Sequence, residues 1–150
     1  MKTWIIGLAC LAVVAGLGSA VVLQRQTPRT EITVYKSPTC GCCSKWEDHL
    51  RKAGFEVSSR VVDDVDKVKG ENGVPTSLHS CHTAVVGGYV VEGHVPADAI
   101  QKLLREAPRG VNGIAVPGMP IGSPGMEGPN PESYQVLSFG EGGEKVFAQY

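Results

Sequence analysis

Hydrophobic and polar positions change period along this chain, and each change marks an element. Glu31–Lys36 (EITVYK) alternates, with Ile32 and Val34 on one face, which predicts a strand. Ser37-Pro38-Thr39 breaks it. From Cys43 to Ala53 the apolar positions Trp46, Leu50 and Ala53 return at helical spacing, and Gly54 supplies a stop. Phe55–Val62 reads as a second strand and Asp63–Lys69 as a short helix opened by Asp63 and Asp64. Gly73-Val74-Pro75-Thr76 is a turn. His82–Gly87 and Tyr89–Val95 predict two strands joined at Gly87-Gly88, a hairpin signal. Pro96 suits a first helical position, with Ile100, Leu103 and Leu104 as the apolar face that follows. Tyr134–Phe139 and Lys145–Tyr150, around Glu141-Gly142-Gly143-Glu144, read as a terminal hairpin. Strand–helix–strand, short helix, hairpin and helix make a coherent α/β order.

Composition changes this picture in one place. Of the 19 Gly and 10 Pro in 150 residues, six of each fall within Ala107–Pro131, where neither helix nor regular strand is expected to persist. Val111, Ile114, Val116, Met119, Ile121 and Met126 make the segment too apolar for a solvated linker, so it is expected to lie against the folded body. The length suits one domain, and a net charge of −1 gives no support to nucleic-acid binding.

Positions 5–23 carry no charge, follow the single basic Lys2, and end with small residues at Gly18 and Ala20 before Gln24 and Arg25. Residues 1–23 therefore read as a secretory signal, which places the body in an extracytoplasmic compartment. The rival is an uncleaved membrane anchor, since about 20 apolar residues just span a bilayer. The membrane is engaged only through such a retained leader. Cys10 has too short an apolar run before it for a lipidated cysteine.

That leaves Cys40, Cys42, Cys43 and Cys81 of the five cysteines. Three of the four lie within four positions, whereas a stapling disulfide framework would spread them. They sit at a predicted helix start, where unpaired N–H groups favour thiolates. Cys40 and Cys43 have the C-x-x-C redox spacing, but a third adjacent thiol invites mispairing and favours a metal. Thiolates with thioethers suit Cu(I) best, while thiolate with imidazole also suits zinc, the lesser expectation. Thiol–disulfide exchange through Cys40 and Cys43 remains a second class of function. Trp46 is expected in the core, Glu47, Asp48 and His49 on a solvated helix face, and His79 in a loop. His82, if extended with Cys81, would point away from the sulfur.

Three ordered motifs then point to a family. T-V-Y-K-S-P-T-C-G-C-C-S-K-W (33–46), G-V-P-T-S-L-H-S-C-H-T (73–83) and G-Y-V-V-E-G-H-V-P-A (88–97) resemble the CopG-type periplasmic copper-resistance proteins. The resemblance runs through essentially the whole chain after the leader. It implies a thioredoxin-like domain over 30–107, with residues 108–150 as a C-terminal extension packed on it. It also implies several copper ions bridged by cysteine sulfur, and Cu(I)/Cu(II) interconversion in copper resistance, which would make the protein a copper oxidoreductase. In that topology Val74-Pro75 would be a cis-proline beside the cysteine motif. Cys81 would stay near if Thr76–Ser80 loops, and His94 would return to the same sheet edge. The Gly/Pro segment is long enough to bring Met119 or Met126 to the sulfur. The expected partners are copper ions and a copper efflux system or copper chaperone, and a monomer is expected. A copper carrier without redox activity, a structural zinc site and an iron–sulfur cluster remain the other binding readings.

Overall fold

β1 (Glu31–Lys36) forms where the alternation places it, with Ile32 and Val34 fully buried on one face. It pairs in parallel with β2 (Glu56–Val61) and antiparallel with β3 (His82–Val86). A parallel pair needs a crossover, and α1 (Gly41–Lys52) supplies it between β1 and β2. α2 (Val65–Glu71) follows β2, with Asp64 accepting the Lys67 N–H at 2.9 Å as its N-cap. β4 (Tyr89–Glu92) turns back on β3 through Gly87-Gly88. α3 (Ala97–Glu106) then crosses to β5 (Val111–Ala115), which lies parallel to β4. β6 (Gln135–Gly140) and β7 (Lys145–Gln149) complete one sheet of order β2-β1-β3-β4-β5-β6-β7. The computed structural model describes residues 29–150, so the readings of the leader, Cys10 included, lie outside the described residues.

The main core is Trp46 and Leu50 of α1 and Ile100 and Leu103 of α3, closed onto Ile32, Val34, Ala84, Val86 and Val91 of the sheet. Each Val, Leu or Ile among them contributes about 1.5–3 kcal/mol when fully buried. A smaller cluster gathers Val74, Leu78, Val90, Ala115 and Phe139, so consecutive Val90 and Val91 are both buried. Among the described residues no helix is long and apolar enough to cross a membrane.

Four expectations fail here. A regular strand, β5, does persist inside the Gly/Pro segment. The window average hid that no proline stands between Pro108 and Pro117, and β4 and β6 offer partners on both sides. β4 ends at Glu92, short of Val95, because Gly93 turns the chain at φ +72°. No peptide bond among the described residues is cis, so Val74-Pro75 is trans. Trans is the cheaper isomer, and Pro75 here opens a 3-10 turn over Thr76–Leu78, its carbonyl accepting the Leu78 N–H at 2.9 Å. Finally, Glu47 is not solvated: it is 3% exposed, paired with Lys36 at 2.7 Å and Arg51 at 3.1 Å. Burial works to raise its carboxyl, but the contacts from Lys36, Ser59 and Arg51 outweigh it and hold the group below its usual range.

Candidate metal centre

The register puts four chain ends on one edge of the sheet. Lys36 lies opposite His82, Thr83 opposite Glu92, and Glu92 beside Ala115. The chain leaving β1 therefore meets the chain entering β3 and those leaving β4 and β5. Cys40 is the N-cap of α1, which carries Cys42 and Cys43 in its first turn, while Cys81 immediately precedes β3 and His94 follows β4 by two residues.

All four cysteines converge, with their sulfurs within 4.8 Å of one another. Cys40 and Cys43 are joined as a disulfide, and Cys42 and Cys81 are free thiols. Cys42 Sγ stands 3.6 Å from Cys40 Sγ, and Cys81 Sγ 3.7 Å from Cys43 Sγ. Cys81 belongs to a second donor group as well, with His82 and His94. Its sulfur lies 3.2 Å from His82 Nδ1 and 3.0 Å from His94 Nε2.

The hydrogen bonds settle how these imidazoles present themselves. His94 Nδ1 faces the Pro124 carbonyl at 2.7 Å, and a carbonyl only accepts, so Nδ1 carries the proton. Burial lowers the His94 pKa, the ring is neutral, and Nε2 directs a lone pair at Cys81. That is the outer partner a metal-binding histidine normally has. Burial, reinforced by the proximity of His94 and Lys69, lowers the His82 pKa still more strongly. His82 Nε2 is buried with no hydrogen-bond partner. The ring nitrogen that faces the Cys81 sulfur is the other one, Nδ1. Burial, then the adjacent Cys42, push the Cys81 thiol up to about 12, so a metal entering here displaces a proton.

His82 does not point away from the sulfur, contrary to expectation. Pointing away requires an extended chain through Cys81 into His82, but Ser80 is irregular and Cys81 lies in a bend, with β3 beginning only at His82. The ring lies on the core side, 4.2 Å from Trp46, and edge-on to His94 at 5.2 Å. Trp46 is core as expected, its Nε1 donating to the Val95 carbonyl at 2.8 Å. His49 is half-buried rather than solvated, and its Nε2 accepts the Ala97 N–H at the start of α3, 3.1 Å away. His79 stays outside the group, near the Val74 carbonyl at 3.3 Å.

The Gly/Pro segment does come back to this edge. Gly125, at φ +86°, packs so closely that a Cβ there would sit 2.8 Å from Trp46 N and 2.9 Å from the Cys42 carbonyl. Met126 lines a cleft with Gly41, Cys42 and Lys45, over the free Cys42. Met119 is 49% exposed, next to Gly118, whose carbonyl accepts from the Ser80 hydroxyl.

A pH effect follows in the metal-free protein. Between the ordinary imidazole pKa near ~6.5 and the lower folded values, the unfolded chain binds protons that folded His82 and His94 refuse. Stability is therefore full above that range and falls as pH drops through it. The urea midpoint is expected to be lower at pH 5 than at pH 7.5, with a shallower loss in His82→Leu; equal slopes would refute the assignment.

Comparisons with known proteins agree with this geometry. The family model described as "Protein of unknown function, DUF411" matches residues 78–126, which span Cys81, His82, His94, Met119 and Met126. A search of curated proteins finds no match. Two solved structures titled copper resistance protein copG are similar over most of the chain. Form 2 is 45% identical, covers 82% of this chain and 99% of its own, and superposes with a TM-score of 0.77. Form 1 is 45% identical, covers 82% and 98%, and has a TM-score of 0.76.

Proposed function

The chain belongs to the family of copper resistance protein CopG, and from that premise we propose that it takes copper ions onto a cysteine-bridged cluster and interconverts Cu(I) and Cu(II) in copper resistance. The observation that carries the reading is the convergence of four sulfurs and two imidazoles, with Cys81 shared between the two donor groups. Reduction of the Cys40–Cys43 disulfide gives four thiols, a soft set that suits Cu(I), and bridging sulfur lets four cysteines hold several ions. His82 and His94 add imidazole nitrogens, donors that Cu(II) also accepts. Met126 and, further out, Met119 are the thioethers within the covering segment. Interconversion has an electron source in the same place: closing Cys40 and Cys43 from two thiols releases two electrons and two protons, enough to take two Cu(II) to Cu(I).

The sheet order β2-β1-β3-β4, with β1 parallel to β2 and a cysteine motif at the start of the intervening helix, supports a thioredoxin-like core. β5–β7 form the extension. The uncharged run at 5–23 supports export to the periplasm.

Copper content tests the reading. Protein purified with copper present is expected to hold more than one copper per chain and to lose part of it in Cys42→Ser. Less than one per chain, unchanged by that substitution, would sink it. The Cys40–Cys43 disulfide favours a second reading, thiol–disulfide exchange. It predicts efficient turnover of disulfide substrates without metal and little loss in Cys42→Ser. A plain carrier would pass copper on with its valence unchanged, as spectroscopy after anaerobic titration would show.

A further inference from the structure

Behind the sulfur cluster lies a buried ion pair that the functional reading does not use. Lys69 of α2 is 2% exposed and Glu92 of β4 is fully buried, with Lys69 Nζ 2.7 Å from Glu92 Oε1. We propose that Glu92, held by Lys69, is a positioning residue for Cys81: its carboxylate accepts the Ser80 N–H and thereby fixes the bend that presents the Cys81 sulfur to the metal centre. The metal half of that statement rests on the copper reading above, whereas the fixing of Cys81 does not.

Stability alone does not explain the pair. Taking two charges out of water costs several kcal/mol per ion, and apolar residues of similar volume often do as well or better. A carboxylate differs from an apolar side chain in being able to accept several hydrogen bonds at once, and this one does. Oε1 accepts from Lys69 Nζ and from Ser80 N, the latter at 2.6 Å, and Oε2 accepts from Thr83 Oγ1 at 2.7 Å. Lys69 Nζ donates also to Thr83 Oγ1 at 3.2 Å, so the ammonium steadies both partners. Three of these groups belong to regular elements, α2, β3 and β4. The fourth, Ser80 N, belongs to the irregular stretch after the 3-10 turn, one residue before Cys81.

The surroundings are built to let Ser80 reach this carboxylate. Gly93, next to Glu92, stands at φ +72°, and a Cβ on it would lie 2.6 Å from Ser80 Oγ. Ser80 Oγ donates onward to the Gly118 carbonyl in the covering segment. The residue before Cys81 is thus tied on one side to Glu92 and on the other to the cover. Lys69 supplies the opposite charge that a buried carboxylate needs beside it.

The test compares two double variants that both remove the charges. Lys69→Met/Glu92→Gln keeps a side-chain oxygen to accept the Ser80 N–H, and Lys69→Met/Glu92→Leu does not. With Cys40–Cys43 oxidised and no metal present, alkylation by iodoacetamide is followed for Cys81 and Cys42 by peptide mass mapping. The Cys81-to-Cys42 rate ratio is expected to rise about tenfold in the Leu variant, the scale of one lost hydrogen bond, and to stay within about twofold of wild type in the Gln variant. A global loss of stability would raise both cysteines in both variants. Copper affinity is expected to fall by about 10- to 100-fold in the Leu variant only. If the alkylation ratio moves as stated but wild-type protein takes no copper, the functional reading fails and the positioning of Cys81 stands. An unchanged ratio in the Leu variant, or an equal change in both, overturns the proposal. Should the Leu variant not fold, hydrogen exchange of wild type decides. The Ser80 amide is expected to be protected like those of β3, and exchange at the rate of an open loop refutes the bond.

Discussion

Replacing Cys81 with serine is expected to cost more copper than any other single cysteine substitution. Cys42 belongs to one donor group, and so do Cys40 and Cys43, whereas Cys81 is a member of both. In Cys42→Ser the Cys81–His82–His94 group is intact. In Cys81→Ser neither group is complete, and the two imidazoles lose the sulfur that they flank at 3.2 and 3.0 Å. Outer partners of metal ligands are typically worth 10- to 100-fold in affinity, so removing a shared ligand should cost at least ~100-fold. Competition against a chelator of known affinity, on protein reduced under anaerobic conditions, measures it. A Cys81→Ser protein that competes as well as Cys42→Ser would remove Cys81 from the centre.

Gly93→Ala should produce a large loss of stability. Gly93 stands at φ +72°, where an L side chain is strained. Its missing Cβ also makes room for neighbours that cannot withdraw cheaply: the Val116 carbonyl would be 2.6 Å away and Ser80 Cβ 2.7 Å. Val116 N is bonded to the Glu92 carbonyl at 3.0 Å, and Gly93 N to the His82 carbonyl at the same distance, so the backbone on both sides is held. Strain and overpacking together should cost about 2–4 kcal/mol. Urea unfolding measures it, and Gly41→Ala, with nothing within 4 Å of its Cβ, is the control. A Gly93→Ala loss no greater than that of Gly41→Ala would mean that the turn has slack that its contacts do not suggest.

Local patterning makes most of the fold legible and only part of the site. The alternation of Ile32 and Val34 and the spacing of Trp46 and Leu50 are decided within a few residues, and those elements stand where expected. The sulfurs are legible for the same reason, since three sit in one helix start and the fourth follows a turn. Side chains whose state depends on distant partners are not. Nothing around Glu47 announces that Lys36, eleven positions earlier, will pair with it in the interior. Nothing around Lys69 announces Glu92. His82 escapes a reading by alternation because that pattern does not hold one residue beyond the end of a strand. In each case the missing information is how α1, α2 and the chain entering β3 lie against the sheet, which brings the partners together only once the sheet is formed.

The covering segment runs from Val116 to Tyr134, and its two ends belong to β5 and β6, which are hydrogen-bonded neighbours. A loop closed on adjacent strands can lift at its middle by giving up the Pro124–His94 and Gly118–Ser80 hydrogen bonds there, without disturbing either anchor, and it cannot swing away as a body. Its opening is thus a local fluctuation, with a free energy below that of global unfolding. Exchange of ions at Cys42 should then proceed at a rate nearly independent of urea until the sheet itself begins to melt. Under the proposed copper reading, traffic through the site would be paced by a tethered flap, on a clock separate from the one that sets the lifetime of the fold.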